Sequence, residues 1–249
     1  MMAIGLRAEL AGWAAEGRRP RLWWRDDDAV RDQPQLRRLL DLAGSTEVPV
    51  ALAVIPQALE PSLPRLLEGA RGVSVLQHGS DHRNVGPPGR PTQFAPERPV
   101  EEVVAMIRAG AGRLAPLAGR LPVYVPPWNR LEDNVLQALP LAGMTGLSVF
   151  GEYATRTAEL VRCDSHVDLL RWRGRVRFGG AWRCLYRLRR ALARRRASGR
   201  WDDPVGLLTH HQVHDEATWA FLERLLRSDA VRERVQWCSA PMLFSIVED

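Results

Sequence analysis

Five of the six histidines in this 249-residue chain fall into two short clusters, 78–82 and 210–214. His78 and His82 are four positions apart, so a helical turn between them would place both imidazoles on one side, where they can bind one metal ion. Three consecutive carboxylates at 26–28 come earlier in the chain. Two imidazoles and one carboxylate form a facial ligand set with open positions for water and substrate, which suits zinc and other divalent first-row metals. The spacing therefore predicts a divalent-metal site.

Short strands alternating with amphipathic helices are the elements that would position these residues. The strand candidates are 22–25, 48–55, 73–77, 123–125, 146–150, 167–170, 205–209 and 234–238. The helix candidates are 35–43, 99–114, 131–141, 182–197 and 216–226, and the first 19 residues have the pattern of a further helix. Strands separated by helices imply parallel pairing with crossover helices outside, and about seven such units favour an α/β barrel over an open sheet.

Polar residues concentrate at the carboxyl ends of four of these strands. They occupy 26–28, 78–82, 126–129 and 210–214. Ligand-binding and catalytic groups of parallel α/β folds collect at that end of the strands. We therefore expect the four segments to line one site.

In this order the segments resemble the motifs of the NodB-homology polysaccharide deacetylases, also called carbohydrate esterase family 4. The matches are Asp27-Asp28 with the family's Asp-Asp pair, His78 and His82 with H-[S/T]-x-x-H, Val-Pro-Pro-Trp at 125–128 with R-P-P-[YF], and Leu-Thr-His at 208–210 with the late L-x-H. The resemblance spans most of the chain. It implies a distorted (β/α)7 barrel, forming a single catalytic domain over residues 1–249.

The activity implied by the resemblance is hydrolytic removal of an acyl group, above all acetyl, from an N-acylated sugar of a glycan or a lipid-linked precursor. Asp28, His78 and His82 would hold the cation, with zinc as the first choice and cobalt, nickel or manganese as alternatives. Such an ion polarises the amide carbonyl and lowers the pKa of a bound water toward about 7.

The remaining matched residues would move protons and contact the substrate. The resemblance implies that Asp27 is the general base, that His210 protonates the departing amine, and that the backbone N–H of Trp128 donates to the oxyanion. Pro127 and Asn129 would flank the substrate beside Trp128. The substrate would thus be a carbohydrate.

Several positions depart from the family pattern. Gly79 stands where the family has Ser or Thr, Val125 stands where it has an Arg that orients the base, and Trp128 replaces Tyr or Phe. We find no convincing counterpart of the family's D-x-x-[DW]-W motif. Arg25 would replace the missing Arg by pairing with Asp27. Because of these departures, a catalytically silent barrel that binds glycan is an alternative to the deacetylase. A hydrolase of another amide or of an O-acetyl ester is a further alternative.

The third aspartate leaves the register of the acidic run open, since Asp26-Asp27 could be the functional pair. Strand alternation would place the side chains of Asp26 and Asp28 on one face. We favour Asp27-Asp28 because this pair directly precedes the small residue Ala29, where the family has Gly.

The late histidines leave a similar choice. His210 is favoured as the acid because it shares a strand face with Gly206 and Leu208. We expect His211 to pack outside or to help position Gln212. His214 would begin the next helix.

Composition limits the class of protein and its partners. With 45% hydrophobic and 26% charged residues the chain can bury a core, which argues against disorder. The net charge is +6 and all 35 basic residues are arginine. We interpret this first as a nucleotide-composition bias and not as a functional signal. An arginine-rich amphipathic helix at 183–200 could contact an anionic membrane surface or an acidic glycan, whereas the lack of nucleic-acid-binding signatures disfavours nucleic acid.

The compartment is predicted from what the sequence contains. The three cysteines are far apart and form no CxxC pair, which indicates a reducing environment. The longest apolar run, 48–55, is far shorter than the roughly 20 residues that a membrane span needs. The first residues lack the apolar core of a secretory signal. These features predict a cytoplasmic protein.

Overall fold

The computed structural model describes residues 4–152 and 159–245. Its strands there are β1 Arg21–Ala29, β2 Val50–Val54, β3 Val73–His78, β4 Arg120–Val125, β5 Gly146–Leu147, β6 Val161–Arg162, β7 Ser165–Asp168, β8 Leu170–Arg171, β9 Arg177–Phe178, β10 Val205–Thr209 and β11 Gln236–Trp237. Its helices are α1 Ile4–Ala15, α2 Pro34–Thr46, α3 Ser62–Leu67, α4 Val100–Arg113, α5 Asp133–Leu141, α6 Ala181–Ala197, α7 Glu216–Leu226, α8 Asp229–Arg234 and α9 Ala240–Leu243.

A parallel sheet of nine strands forms the centre of the molecule. The strand order is β6-β5-β4-β3-β2-β1-β10-β7, and β11 pairs with the beginning of β1. The sheet curls until the chain beyond β5 meets β7: the Ser165 N–H donates to the Val149 carbonyl (2.8 Å) and the Gly151 N–H to the Ser165 carbonyl (2.7 Å). This closure confirms the predicted distorted (β/α)7 barrel. Strands β8 and β9 form a separate antiparallel pair.

The predicted elements agree with the observed ones to different degrees. Strand β10 and helix α7 have the predicted bounds, and the first 19 residues contain α1. The prediction for 146–150 is too long, because β5 ends at Leu147 and the chain then makes only a single bridge, from Phe150 to Ser165. The segment 167–170 is shifted, since β7 ends at Asp168 and Leu170 begins the antiparallel pair.

Strand β1 divides the core into two layers. Trp24 belongs to the cluster between the sheet and the helices, whereas Trp23 packs inside the barrel with Ala53 and Val125. Consecutive strand residues point to opposite faces, so only one of the two tryptophans faces the interior, as predicted. The Trp23 indole N–H donates to the Asp164 carbonyl at 3.1 Å. A Cβ at Gly206 would lie 2.5 Å from that indole nitrogen, so a glycine is required there.

Helix α6 contains most of the arginine-rich segment, and several of its arginines have structural partners. Arg195 is buried and pairs with Glu152 at 3.2 Å, and Arg196 pairs with Glu9 at 2.7 Å. Arg183 donates to the backbone carbonyls of Asp168 (3.0 Å) and Leu170 (2.6 Å). These side chains attach α6 to the barrel.

Within the described ranges, the structure contains no helix with both the length and the apolar character to cross a bilayer.

His166 lies on β7 among positive charges. Its Nδ1 accepts a hydrogen bond from the Gly206 N–H at 3.0 Å, and its Nε2 lies 2.8 Å from a guanidinium nitrogen of Arg195. Burial, then the charges of Arg195 and Arg200, lower the pKa of His166 to about 3. The folded protein therefore keeps this imidazole neutral under mildly acidic conditions.

We expect this histidine to make folding sensitive to acid. The unfolded chain takes up the proton at an ordinary pKa of about 6.5, so the folded state loses stability relative to the unfolded state as the pH falls from there toward 3. At pH 5 this loss amounts to about 2 kcal/mol. Urea unfolding at neutral pH and at pH 5 should show a smaller pH dependence for His166→Gln than for the wild type. Equal pH dependence would mean that His166 titrates normally in the folded protein.

Candidate metal and catalytic site

A cavity of about 1060 Å³ opens at the carboxyl ends of the parallel strands. The predicted residues that line it are Asp27, Asp28, His78, His82, Trp128, Asn129 and His210. Each of the four polar segments contributes at least one of them, so the expectation that these segments meet in one site is met. Pro127 is buried and packs beneath Gly79 instead of lining the cavity.

The end of β1 does not follow simple strand alternation. Asp28 has a φ of 70°, in the left-handed region, and the pairing of β1 with β2 shifts register between Asp26 and Ala29. This irregularity turns Asp28 toward the cavity beside Asp27. The prediction that Asp26 and Asp28 share one face is therefore wrong. A bulge of this kind is a known way to redirect a side chain at a site.

Asp26 has a structural environment of its own. It is fully buried, accepts a hydrogen bond from Thr209 Oγ1 at 2.6 Å and lies 2.5 Å from His211 Nδ1. His211 is also buried, and its other ring nitrogen is 2.8 Å from Gln33 Nε2. The pair joins β1 to the segment after β10 away from the cavity. His211 is therefore buried on the side of the sheet away from the cavity, as the prediction that it packs outside the barrel requires, and Asp27-Asp28 is the pair that faces the cavity.

Asp28, His78 and His82 form a compact cluster, and their potential ligand atoms all lie within 4.8 Å of one another. Asp28 Oδ1 is 3.1 Å from His78 Nε2 and 3.6 Å from His82 Nε2. The His78 Nδ1 lies 3.0 Å from the Val125 carbonyl, which fixes the ring and leaves Nε2 directed at Asp28. The geometry thus presents two imidazole nitrogens and one carboxylate oxygen to a common point.

The two histidines converge through a loop and not through the helical turn that their spacing suggested. His78 ends β3, Gly79 has a φ of 61°, and His82 has a φ of 56°. A Cβ at Gly79 would lie 2.2 Å from Gln93 Oε1 and 2.5 Å from Pro127 Cγ. The Ser or Thr of the family motif would clash there unless Gln93 and Pro127 moved, so glycine suits this position.

Electrostatics favour the cation-binding form for two of the three residues of the cluster, Asp28 and His82. Burial alone would raise the pKa of Asp28, but the hydrogen bond to His78 lowers it well below its usual range. Burial and the neighbouring His78 lower the pKa of His82. The pKa of His78 is raised, since the contact with Asp28 outweighs the effect of burial. Asp28 is therefore ionised and His82 neutral at physiological pH.

The cluster fits a divalent cation by its donor chemistry. The Asp28 Oδ1 atom is buried and, apart from the two imidazoles of the cluster, has no hydrogen-bond partner in the described part of the chain. An unsatisfied buried carboxylate oxygen is costly unless it binds a charged partner. Two imidazoles and a carboxylate match the ligand types of zinc and related metals. These three residues could therefore hold the cation that the sequence predicted.

Asp27 lies on the floor of the cavity and is paired with Arg25. The Arg25 Nε is 2.8 Å from Asp27 Oδ1, and Nη2 is 3.0 Å from Oδ2, with both side chains almost completely buried. The same guanidinium donates to Ser148 Oγ and to Asn129 Oδ1, both at 2.7 Å. Arg25 thus fixes the orientation of Asp27 and connects it to two other segments.

His210 and Trp128 complete the wall around the cluster. The His210 Nε2 lies 4.0 Å from Asp27 Oδ2, across the cavity floor. The ring of Trp128 packs on that of His82 with centroids 4.5 Å apart.

His214 precedes α7 instead of beginning it, because Asp215 caps that helix by accepting from the Thr218 N–H at 2.8 Å.

Backbone strain is concentrated around this cavity. The described residues include six non-glycine residues with positive φ, and four of them line it: Asp28, His82, Trp128 and Asn129. Left-handed backbone costs free energy for any residue with a Cβ, and it persists where the surrounding structure imposes it. The concentration makes this end of the barrel the candidate functional site.

Solved structures share this architecture, although no protein-family model matches the sequence and no curated protein matches it either. The Bc1960 peptidoglycan N-acetylglucosamine deacetylase superposes with a TM-score of 0.57 at 12% identity, covering 93% of this chain and 91% of its own. A family 4 acetyl xylan esterase from Clostridium thermocellum, in complex with a cobalt ion, has a TM-score of 0.52 at 11% identity, with 91% of each chain covered. BA3943, a CE4 family pseudoenzyme from Bacillus anthracis, has a TM-score of 0.55 at 11% identity, covering 92% of this chain and 66% of its own.

The chain has the family 4 carbohydrate esterase fold. With identities this low, the likeness establishes the fold, and the roles of individual residues rest on the geometry described above. On this fold, Val125 occupies the position where the family motif has its Arg, and its side chain is fully buried. Arg25, two residues before Asp27, supplies the paired guanidinium instead. The predicted Arg25–Asp27 contact is thus present.

Two residues that sequence reasoning missed line the same cavity. Asp168 and Trp172 have the spacing of the first and last positions of the family 4 motif D-x-x-[DW]-W, with Arg171 at its fourth position. The Trp172 indole N–H donates to Asp168 Oδ2 at 2.6 Å, and its ring packs against His210 with centroids 4.6 Å apart. The Asp-x-x-x-Trp spacing was the signal that could have identified them.

Proposed function

We propose that this protein is a metal-dependent deacylase that removes an acetyl group from an N-acylated sugar. The observation that carries the proposal is the meeting of an Asp-His-His cluster, an arginine-paired aspartate and a histidine in one cavity. The cavity is large enough for a sugar residue and has aromatic side chains on its walls. Structures with this fold include deacetylases and an esterase, which supports the same reaction class.

Asp28, His78 and His82 would hold the cation, with zinc as the first choice and cobalt, nickel or manganese as alternatives. When bound, such a cation supplies Lewis acidity, polarising the acyl carbonyl and making a water more acidic. The Val125 carbonyl keeps His78 in the orientation that this binding needs.

Asp27 and His210 would carry the protons. Asp27 Oδ2 accepts a proton from the attacking water as its oxygen bonds to the acyl carbon. When the carbon–nitrogen bond breaks, His210 Nε2 donates a proton to the departing nitrogen, so that acetate and an amine leave. The distance of 4.0 Å between these two atoms supports the proposal that base and acid act on the same reacting centre.

Trp128 and Trp172 would contact the sugar. Both line the cavity, and Trp172 is 47% exposed, so its ring has an open face on which a sugar can pack. Trp128 has a φ of 53°, which turns its backbone as well as its ring at the cavity wall. We assign its N–H to the oxyanion that forms on the acyl group.

The experiment that tests this function is acetate release from a panel of acetylated substrates. The purified protein is loaded with zinc or treated with a chelator and incubated with chitotetraose, an acetylated xylan and a simple N-acetyl amide. We expect release from the N-acetylated sugar by the zinc-loaded protein and none after chelation. Release only from the xylan or the simple amide would indicate an ester or a non-sugar amide as substrate.

A catalytically silent barrel would give a different result. It would bind the sugar, detectable by calorimetry, while no substrate in the panel lost acetate. Because BA3943 is a pseudoenzyme with this fold, the fold alone does not decide between the two outcomes. The Arg25–Asp27 pair is what favours the active enzyme here, since it keeps the Asp27 side chain oriented despite Val125.

A further inference from the structure

The rim of the catalytic cavity is strongly basic. Five arginines line it: Arg130, Arg171, Arg173, Arg183 and Arg187. They come from three separate elements, namely the segment after β4, the β8–β9 hairpin and helix α6. The hairpin and the helix that carry four of them lie outside the four motif segments.

The carboxylates of the cavity do not neutralise these arginines. Its only acidic lining residues among the described ranges are Asp27, Asp28 and Asp168. Asp27 is paired with Arg25, Asp28 faces the two histidines, and Asp168 accepts hydrogen bonds from Trp172 and from the Leu170 N–H. All three are committed to other partners inside the cavity.

Four of the rim arginines are available to a ligand. Arg183 is occupied by backbone carbonyls, but Arg130, Arg171, Arg173 and Arg187 have no carboxylate within ion-pair distance in the part of the chain that the structure describes. Other arginines of the same chain do find acids, as Arg38 does with Glu216 at 2.7 Å. The rim is therefore a cluster of positive charges without acidic partners around a recessed cavity. Such a cavity concentrates the positive electrostatic potential.

We propose that the substrate of this site carries a negatively charged group, a phosphate or a carboxylate, next to the acylated sugar. Guanidinium groups bind both kinds of anion through paired hydrogen bonds, and arginine is the residue best suited to that geometry. This inference rests on the proposed function for the position of the acylated sugar over Asp28. The rim arginines bind the anionic group while Trp172, between Arg171 and Arg173, packs on the sugar.

Binding and acetate release are measured on the zinc-loaded protein with charged and neutral probes. N-acetylglucosamine 1-phosphate is compared with N-acetylglucosamine, and a hyaluronan tetrasaccharide, which carries carboxylates, with chitotetraose. We expect one charged probe to bind roughly tenfold more tightly than its neutral counterpart at low salt, and the difference to shrink at high salt. Which charged probe gains affinity distinguishes phosphate from carboxylate.

The chain offers a matched pair of double variants. Arg171→Gln with Arg187→Gln removes one rim charge from the hairpin and one from α6. Arg175→Gln with Arg190→Gln removes the same charge from the same two elements, at exposed positions that do not line the cavity. We expect the first pair to abolish the preference for the charged probe and to leave the neutral affinity unchanged, and the second pair to bind like the wild type.

The outcomes separate this inference from the proposed function. Equal affinity for charged and neutral probes, no binding of any probe, or equal loss in both double variants would overturn the inference. If acetate is nevertheless released from the neutral sugar, the proposed deacylase function stands and only the anion-binding inference is lost. If the charged probe binds through Arg171 and Arg187 but nothing is hydrolysed, the anion site stands and the hydrolytic function is lost.

Discussion

Asp28→Ala and His82→Ala are each expected to remove the bound cation and to lower acetate release by about a thousandfold or more. Each substitution takes one of three ligands from a cluster whose ligand atoms lie within 4.8 Å of one another. No other described carboxylate or imidazole belongs to the cluster, and the neighbouring Asp27 is held by Arg25. Elemental analysis should find about one zinc-like ion per wild-type chain and almost none in either variant.

Asp41→Ala provides the control for this experiment, because Asp41 is an exposed carboxylate on α2 that does not line the cavity. It should keep the cation and the full rate. Circular dichroism of all three variants separates loss of the ligand from loss of the fold. A cation retained by both Asp28→Ala and His82→Ala would place the metal elsewhere and remove the basis of the proposed mechanism.

Arg25→Gln is expected to lower kcat by about a hundredfold while leaving the cation in place. The substitution leaves Asp27, which is only 1% exposed, without its counter-charge. Breaking a buried ion pair in this way costs about 3–5 kcal/mol, which the protein avoids by moving or neutralising the carboxylate. Because Arg25 acts through Asp27, the loss should fall on kcat and not on KM or on zinc content.

Two further variants distinguish a positioning role from a purely structural one. Arg25→Lys keeps a positive charge and should restore part of kcat, although its single ammonium cannot reproduce both contacts to Asp27. Ser148→Ala removes another contact of Arg25 and leaves the pair with Asp27, so it should keep most of the activity. If Arg25→Lys is as inactive as Arg25→Gln and equally unstable to heat, Arg25 serves the fold alone.

The sequence predicts the parts of this site that depend on where strands end. The acidic run follows a recognisable strand, His78 follows another, and His210 follows a third, so the parallel-sheet rule is enough to bring them together. The same rule predicts that Trp23 and Trp24 face opposite layers. These features follow from a strand's two-residue period, which is visible in the sequence.

Features that depend on local backbone irregularity could not be predicted in this way. Asp28 reaches the cavity because its φ is positive, and alternation alone would have placed it with Asp26. His82 meets His78 through a loop and not through a helical turn. Asp168 and Trp172 were missed because the strands around them are only two to four residues long. Such strands are too short to show a hydrophobic period.

The left-handed residues around the cavity have a consequence for the evolution of this protein. Asp28, His82, Trp128 and Asn129 each hold a backbone conformation that costs about 1 kcal/mol or more for a residue with a side chain. Together they amount to a large part of the roughly 5–15 kcal/mol by which a domain is stable. Glycine at any of the four positions would relieve the backbone strain but would remove a side chain that lines the cavity. A lineage that keeps these side chains therefore gives up thermal stability in return for the chemistry of the cavity.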